Sequence, residues 1–187
     1  MKDEYFVISE GENIILRDGV SSDIERYINW WDEGEWQKYD APWEVKDKDM
    51  SEKKRRKLFK ELYIKNKRSP RKRALISTTD GTPIGWVNRY QDRKDLDFWY
   101  IGIDICEDQY LGKGLGTEAL ELWIDYLFEN SNIHKIALRT YSFNTRMKRV
   151  AEKLGFVEEG VEREIKRWEG RYIDLVDYGL LRREWKG

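Results

Sequence analysis

Gln109-Tyr110-Leu111-Gly112-Lys113-Gly114-Leu115-Gly116-Thr117 stands between a strand-like run and a strongly amphipathic helix. Three glycines alternate in it, and no acidic side chain falls between Gln109 and Thr117. A strand that feeds a glycine-rich turn opening a helix is a natural anion site. The first-turn N–H groups have no helical partner, the helix dipole is positive there, and missing Cβ atoms let a phosphate reach the backbone.

The rest of the chain bounds what that anion can be. Its 187 residues suit one domain with a real core, and 40% apolar with 14% aromatic residues is too rich for disorder despite 38% charged residues. A net charge of −1 supplies no basic field for nucleic acid. No apolar run approaches the ~20 residues that span a bilayer. Met1-Lys2-Asp3-Glu4 lacks a signal-peptide pattern, so neither membrane nor nucleic acid is expected as a partner and a cytoplasmic location is. Cys106 is the only cysteine and His134 the only histidine. An intrachain disulfide and a cysteine-based metal site are impossible, a Ser-His-Asp triad has little to work with, and no metal is expected.

Outward from the glycines, the periodicity predicts Asn13–Arg17 as a first strand and a helix from Ser22 with a Ser22/Glu25 capping box. Ile24, Tyr27, Ile28 and Trp31 form its apolar stripe. A loop from Asp32 to Asp47 precedes a basic helix over Ser51–Lys67, with Leu58, Phe59 and Leu62 inward. Arg73–Thr78, Pro83–Tyr90 and Phe98–Ile105 read as strands, the first two joined at Thr79-Asp80-Gly81-Thr82. In the third, Ile101, Ile103 and Ile105 share one face, Gly102 and Asp104 the other. The helix after the glycines runs to about Glu129, with Leu115, Ala119, Leu122, Trp123, Tyr126 and Leu127 inward and Glu118, Glu121 and Asp125 opposite. His134–Tyr141 reads as a strand, Asn144 opens a short helix stopped by Gly155, and Phe156–Arg167 pairs with Tyr172–Arg182 around Glu169-Gly170. Strands interleaved with single helices indicate a mixed α/β sheet in one domain.

Two common phosphate motifs fail. The dinucleotide fingerprint from Gly112 needs glycine where Thr117 stands, and the P-loop needs Ser or Thr where Gly114 follows Lys113. The spacing Gln109-x-x-Gly112-x-Gly114 instead resembles the coenzyme A signature of the GNAT (Gcn5-related) N-acetyltransferase superfamily. Asn144 and the helix end Glu152-Lys153-Leu154-Gly155-Phe156 extend the resemblance over nearly the whole chain. It implies a GNAT fold: a central twisted mixed sheet of about six to seven strands flanked by about four helices, with a V-shaped splay between the fourth and fifth strands. Residues 1–187 would then be a single acetyltransferase domain that binds acetyl-CoA as acetyl donor.

On that resemblance the pyrophosphate rests on the N–H groups of Leu111, Gly112, Lys113, Gly114, Leu115 and Gly116, with Lys113 lending charge, Thr117 its hydroxyl, and Gln109 opening the signature. The strand at Ile103 and Ile105 holds pantetheine edge-on. Asn144 resembles the family's pantetheine-contacting asparagine and reads equally well as a plain N-cap. Ala151 stands where many members carry a tyrosine acid, and Met147 where the Rim-type ribosomal-protein acetyltransferases often carry serine. Tyr141, Ser142 or water is left as proton source. Ile101-Gly102-Ile103-Asp104 before the turn looks like the aminoglycoside 6′-N-acetyltransferases, which makes Asp104 the candidate base ahead of Asp97. As a strand-end aspartate facing solvent, Asp104 reads equally well.

The acceptor segment interleaves Trp30, Trp31, Trp36, Tyr39 and Trp43 with Asp32, Glu33, Glu35, Asp40 and Glu44. Aromatic faces beside carboxylates favour a cationic amine, with Trp31, Trp36, Tyr39 and Asp40 as acceptor-binding candidates. The leading expectation is an N-acetyltransferase acting on a small cationic amine, aminoglycoside- or polyamine-like. A Rim-type enzyme acting on a protein N-terminus and a non-catalytic acyl-CoA-binding module are the alternatives. The tryptophans and the C-terminal hairpin offer a face for a homodimer.

Overall fold

The computed structural model describes residues 4–43, 50–92 and 95–186. Its eight strands have the hydrogen-bonded order β1-β2-β3-β4-β5-β6-β8-β7. The chain gathers into two compact units, residues 1–88 with 103–130, and residues 89–102 with 131–187.

The first unit begins with β1 (Val7–Glu10) and β2 (Ile14–Arg17). It continues through α1 (Ile24–Trp30) and α2 (Glu52–Phe59) to β3 (Arg73–Thr78), most of β4 (Pro83–Tyr90), the end of β5 (Phe98–Ile105) and α3 (Leu115–Glu129). β1 to β4 form an antiparallel run, with Ile14 opposite Thr78 and Ala74 opposite Val87. The Asp-Gly turn joins β3 to β4 as its chemistry requires. Gly81 has φ 88°, and the Asp80 carboxylate accepts from Thr78 Oγ1 and the Thr82 N–H.

The core of this unit is aromatic. Tyr27, Trp30, Trp36, Phe59, Tyr63 and Trp86 cluster with Ile24, Ile28 and Leu75, and Tyr27 lies 4.9 Å from Phe59 between ring centroids. α3 packs on β1 and β2 through Ala119, Leu120, Trp123, Ile124, Leu127 and Phe128, all buried. Its inward face is therefore rotated from the predicted one, with Leu122 and Tyr126 at the half-buried margin. An apolar arc this wide lets several stripes satisfy the helical period.

Two further expectations are corrected. The Ser22/Glu25 capping box does not form. Asp23 takes the Val20 N–H at 2.9 Å, and Glu25 instead binds Arg56. The basic helix is α-helical only to Phe59. From Lys60 to Ile64 it widens into a π turn, closed by Lys65 N–H donating to the Lys60 carbonyl at 2.9 Å. Arg55, read as surface charge, is buried with Nη1 on Asp32.

The second unit holds the start of β5, β6 (Lys135–Tyr141), α4 (Thr145–Lys153), β7 (Val157–Trp168) and β8 (Arg171–Leu181). β5 and β6 pair in parallel from Phe98↔Lys135 to Tyr100↔Ala137 only. β6 continues beside β8 to Tyr141↔Leu175. The ladder between the fourth and fifth predicted strands thus closes early, which is the parting that the resemblance implied. Ile136, Leu138, Ala151, Phe156, Val176 and Leu180 form the core here. The hairpin turn has Glu169 at φ 48° and Gly170 at φ 80°, both left-handed.

Candidate functional site

The glycine turn is built by what precedes and follows it. At the end of β5 the N–H groups of Cys106 and Glu107 both donate to the Ile84 carbonyl, at 2.8 and 3.3 Å. Gly85 lies so close beneath Asp104 that a Cβ there would overlap its carbonyl oxygen. Asp108–Tyr110 makes one 3-10 turn, with Leu111 N–H on the Asp108 carbonyl. Gly112 and Gly114 then adopt φ 72° and 82°, a conformation that disfavours any side chain.

Gly114 is the N-cap of α3, and its carbonyl receives the N–H groups of Thr117 and Glu118 at 3.0 and 3.2 Å. The N–H groups of Gly112, Lys113, Gly114, Leu115 and Gly116 meet no acceptor among the described residues. A methyl added at Gly112 or Gly114 would find no atom within 4 Å. The turn is open above its donors. Lys113 adds a cation, lying 5.6 Å from the Tyr110 ring. A consecutive row of free donors at a helix N-terminus suits an anion with several oxygens, such as a diphosphate. Ile103 and Ile105 border it, both 3.8 Å from the position a Gly116 Cβ would take.

The tryptophan segment is tied to the same end of β5. Glu107 accepts from Trp30 Nε1 at 2.9 Å and Arg26 Nη1 at 3.1 Å, and Asp108 accepts from the Glu35 N–H at 2.8 Å. Neither carboxylate was singled out from the sequence. They lie about 75 residues from their partners and no local spacing marks them. Among the acceptor candidates, Trp36 is buried, with Nε1 on the Trp30 carbonyl at 3.1 Å and its ring 5.2 Å from Trp86. Trp31 and Tyr39 are half-buried, and Asp40 is exposed. The Tyr39 hydroxyl points to Glu35 at 3.4 Å, and Asp32 is engaged by Arg55 at 2.7 Å. Trp43 is half-buried, and Glu44 lies outside the described residues.

Asp104 is half-buried near the end of β5, on the strand face opposite Ile103 and Ile105, whereas Asp97 is exposed ahead of that strand. Gln109 is exposed. In the second unit, Asn144 caps α4, its side-chain oxygen accepting Met147 N–H at 3.1 Å. Tyr141 is half-buried and stacked on Phe143, 5.7 Å between centroids. Ser142 Oγ accepts the Asp174 N–H at 3.1 Å. Among the described residues no group of His, Cys, Asp or Glu is arranged to hold a metal ion, and no helix is long and apolar enough to cross a membrane.

The family model for the acetyltransferase (GNAT) domain matches residues 13–157. The chain belongs to the GNAT acetyltransferase family. It is 38% identical over 113 residues to the putative ribosomal N-acetyltransferase YdaF of Bacillus subtilis, a match covering 58% of each chain. It is 32% identical over 95 residues to the aminoglycoside N(6′)-acetyltransferase type 1 of Klebsiella pneumoniae, covering 46% of this chain and 47% of that one. The chain thus spans about half the length of these curated relatives. The crystal structure of spermidine N-acetyltransferase from Vibrio cholerae in complex with CoA and spermine superposes with a TM-score of 0.74. It is 23% identical and covers 93% of this chain and 98% of that one, a likeness of fold.

Proposed function

We propose that residues 1–187 form one acetyltransferase domain that transfers acetyl from acetyl-CoA to the primary amine of a small cationic acceptor. The observation that carries the donor assignment is the row of five free N–H groups from Gly112 to Gly116, opened by two left-handed glycines. A diphosphate needs several donors and no side chain above them, and this row meets both needs. Lys113 and Thr117 complete the anion side, and Gln109 and Leu111 lead into it. The backbone at Ile103 and Ile105 holds the pantetheine arm, and Asn144 is its second contact.

The chemistry asks little more of the protein than positioning and one proton path. Asp104 takes the proton of the attacking amine, and Tyr141 returns one to the departing thiolate. Asp40 and the exposed rims of Trp31 and Tyr39 hold the cationic acceptor, while Trp36 from beneath fixes the Trp31 ring edge-on at 6.5 Å. A cytoplasmic location goes with a donor made inside cells.

A second reading, a protein N-terminus as acceptor, is favoured by the identity to YdaF. Release of free CoA thiol decides between them. Aminoglycosides, polyamines and free-N-terminal peptides are each offered with acetyl-CoA. Turnover on the small polycations supports the first reading, turnover on peptides alone the second, and none on either leaves an acyl-CoA-binding module. Thermal stabilisation by CoA but not by NAD or ATP tests the donor site itself; no shift with CoA removes it.

A further inference from the structure

β7 is the last strand of its sheet, paired on one side with β8. Every residue from Val157 to Arg167 is exposed, including Val157 at 57%, Val161 at 44% and Ile165 at 41%. A long edge with exposed apolar side chains invites another strand, and proteins usually guard such edges with charge. Here the charges are sorted along the strand. Glu158, Glu159 and Glu162 occupy its first half, and Arg163, Lys166 and Arg167 its second.

That order distinguishes guarding from docking. Two copies of β7 laid antiparallel about a two-fold axis between Glu162 and Arg163 set Glu158 against Arg167, Glu159 against Lys166, and Glu162 against Arg163. The same alignment sets Val157 against Trp168 and Ile165 against Gly160, where a Cβ would meet no atom within 4 Å. A guard against self-pairing places like charge opposite like charge across the two-fold. This strand places opposite charges there at all three positions.

We propose that β7 is a self-association surface, on which a second copy of the chain lays its own β7 antiparallel to form an isologous dimer. The bulge between Glu162 and Lys166, where Glu164 turns to φ 54° and donates its N–H to Asp174 at 2.8 Å, falls at the two-fold. It bends both strands at their crossing point and leaves the two charged flanks to pair. Glu159 already binds Lys135 of its own chain, so Lys166 of the second copy joins an existing pair there. Glu158 and Arg167 make the cleanest test.

Light scattering and sedimentation equilibrium of the intact chain should give twice the chain mass at micromolar concentration, with dissociation favoured by salt. Glu158→Arg alone, or Arg167→Glu alone, places like charges together twice per dimer and should raise the dissociation constant on the order of tenfold or more. Both changes in one chain restore the opposite pairing and the dimer. Amide exchange of the wild-type chain should slow over Val157–Trp168 as concentration rises. A wild-type monomer at every concentration overturns the proposal. So does a single reversal, folded by circular dichroism, that leaves the dimer intact, or a folded double variant that stays monomeric.

Discussion

The carboxylate of Glu118 holds Asn13 at both ends, taking its backbone N–H at 2.8 Å and its side-chain amide at 3.0 Å. One residue of the first turn of α3 thereby anchors the turn between β1 and β2, 105 positions away. The position also favours a negative charge, since the N-terminus of the helix is positive. Glu118→Ala should cost about 1–3 kcal/mol, because it leaves two donors to find water. Glu118→Gln should cost less, keeping one acceptor. Thermal or urea unfolding of the two variants reads the difference, and equal losses would show that charge rather than acceptance matters.

A deeper ion pair sits at the other end of β2. Arg17 donates to both oxygens of Asp23 at 2.8 Å, with side-chain exposures of 1% and 7%, and its Nε donates to Ser77 at 2.9 Å. Removing one member strands the other charge in the core. Asp23→Ala should cost about 3–5 kcal/mol. The double change Arg17→Met with Asp23→Leu should recover most of that loss, because neither charge is then orphaned. Denaturant midpoints measure both, and a double variant as unstable as the single one would mean that Val20 and Ser77 depend on the pair.

What was legible in the sequence is what local chemistry dictates. Asp80-Gly81, Glu169-Gly170, Asn144 and Gly114 each carry a conformational preference of their own, so turns, cap and helix start were readable. β1 was missed because four half-exposed residues leave no clear alternation. Arg55 and Trp36 were read as exposed, and long-range partners bury them: Asp32 for the one, Trp30 and Trp86 for the other. Glu107 and Asp108 escaped notice for the same reason. Their meaning comes from Trp30, Arg26 and Glu35, which only folding brings near.

Burial also sets the alkaline limit of the fold. It pushes Tyr27 up, Tyr63 far up and Tyr90 up to about 12, from an ordinary value of 10.0. A phenol with a raised pKa keeps its proton longer in the folded chain than in the unfolded one. Its contribution is whole below pH 10 and is lost as pH rises through the folded value. Stability should therefore fall between about pH 10 and pH 12. Tyr63→Phe removes the most strongly shifted phenol and should flatten that decline. Urea midpoints against pH test it, and an unchanged slope would assign the decline to other groups.

Asp104 is the residue on which the proposed proton path turns. Asp104→Asn keeps size and removes basicity, so turnover should drop by about 10²–10⁴-fold while CoA affinity stays within about twofold. The pH–rate profile should lose its acidic limb in the same variant. Unchanged turnover would clear Asp104, leaving water to carry the proton.

Gly114 separates the needs of the fold from those of the donor. Its φ of 82° costs an alanine about 1–2 kcal/mol, yet an added methyl there would meet no protein atom within 4 Å. Gly114→Ala should therefore fold with only a modest drop in melting temperature. The methyl would stand over the free N–H groups of Gly112 to Gly116, the space assigned to the diphosphate. CoA binding by calorimetry should weaken on the order of tenfold or more, beyond what the lost stability explains. Gly116→Ala makes the control, since its Cβ would sit in ordinary contact with Ile103 and Ile105 at 3.8 Å. If Gly114→Ala binds CoA as tightly as the parent chain, the diphosphate does not lie on this turn.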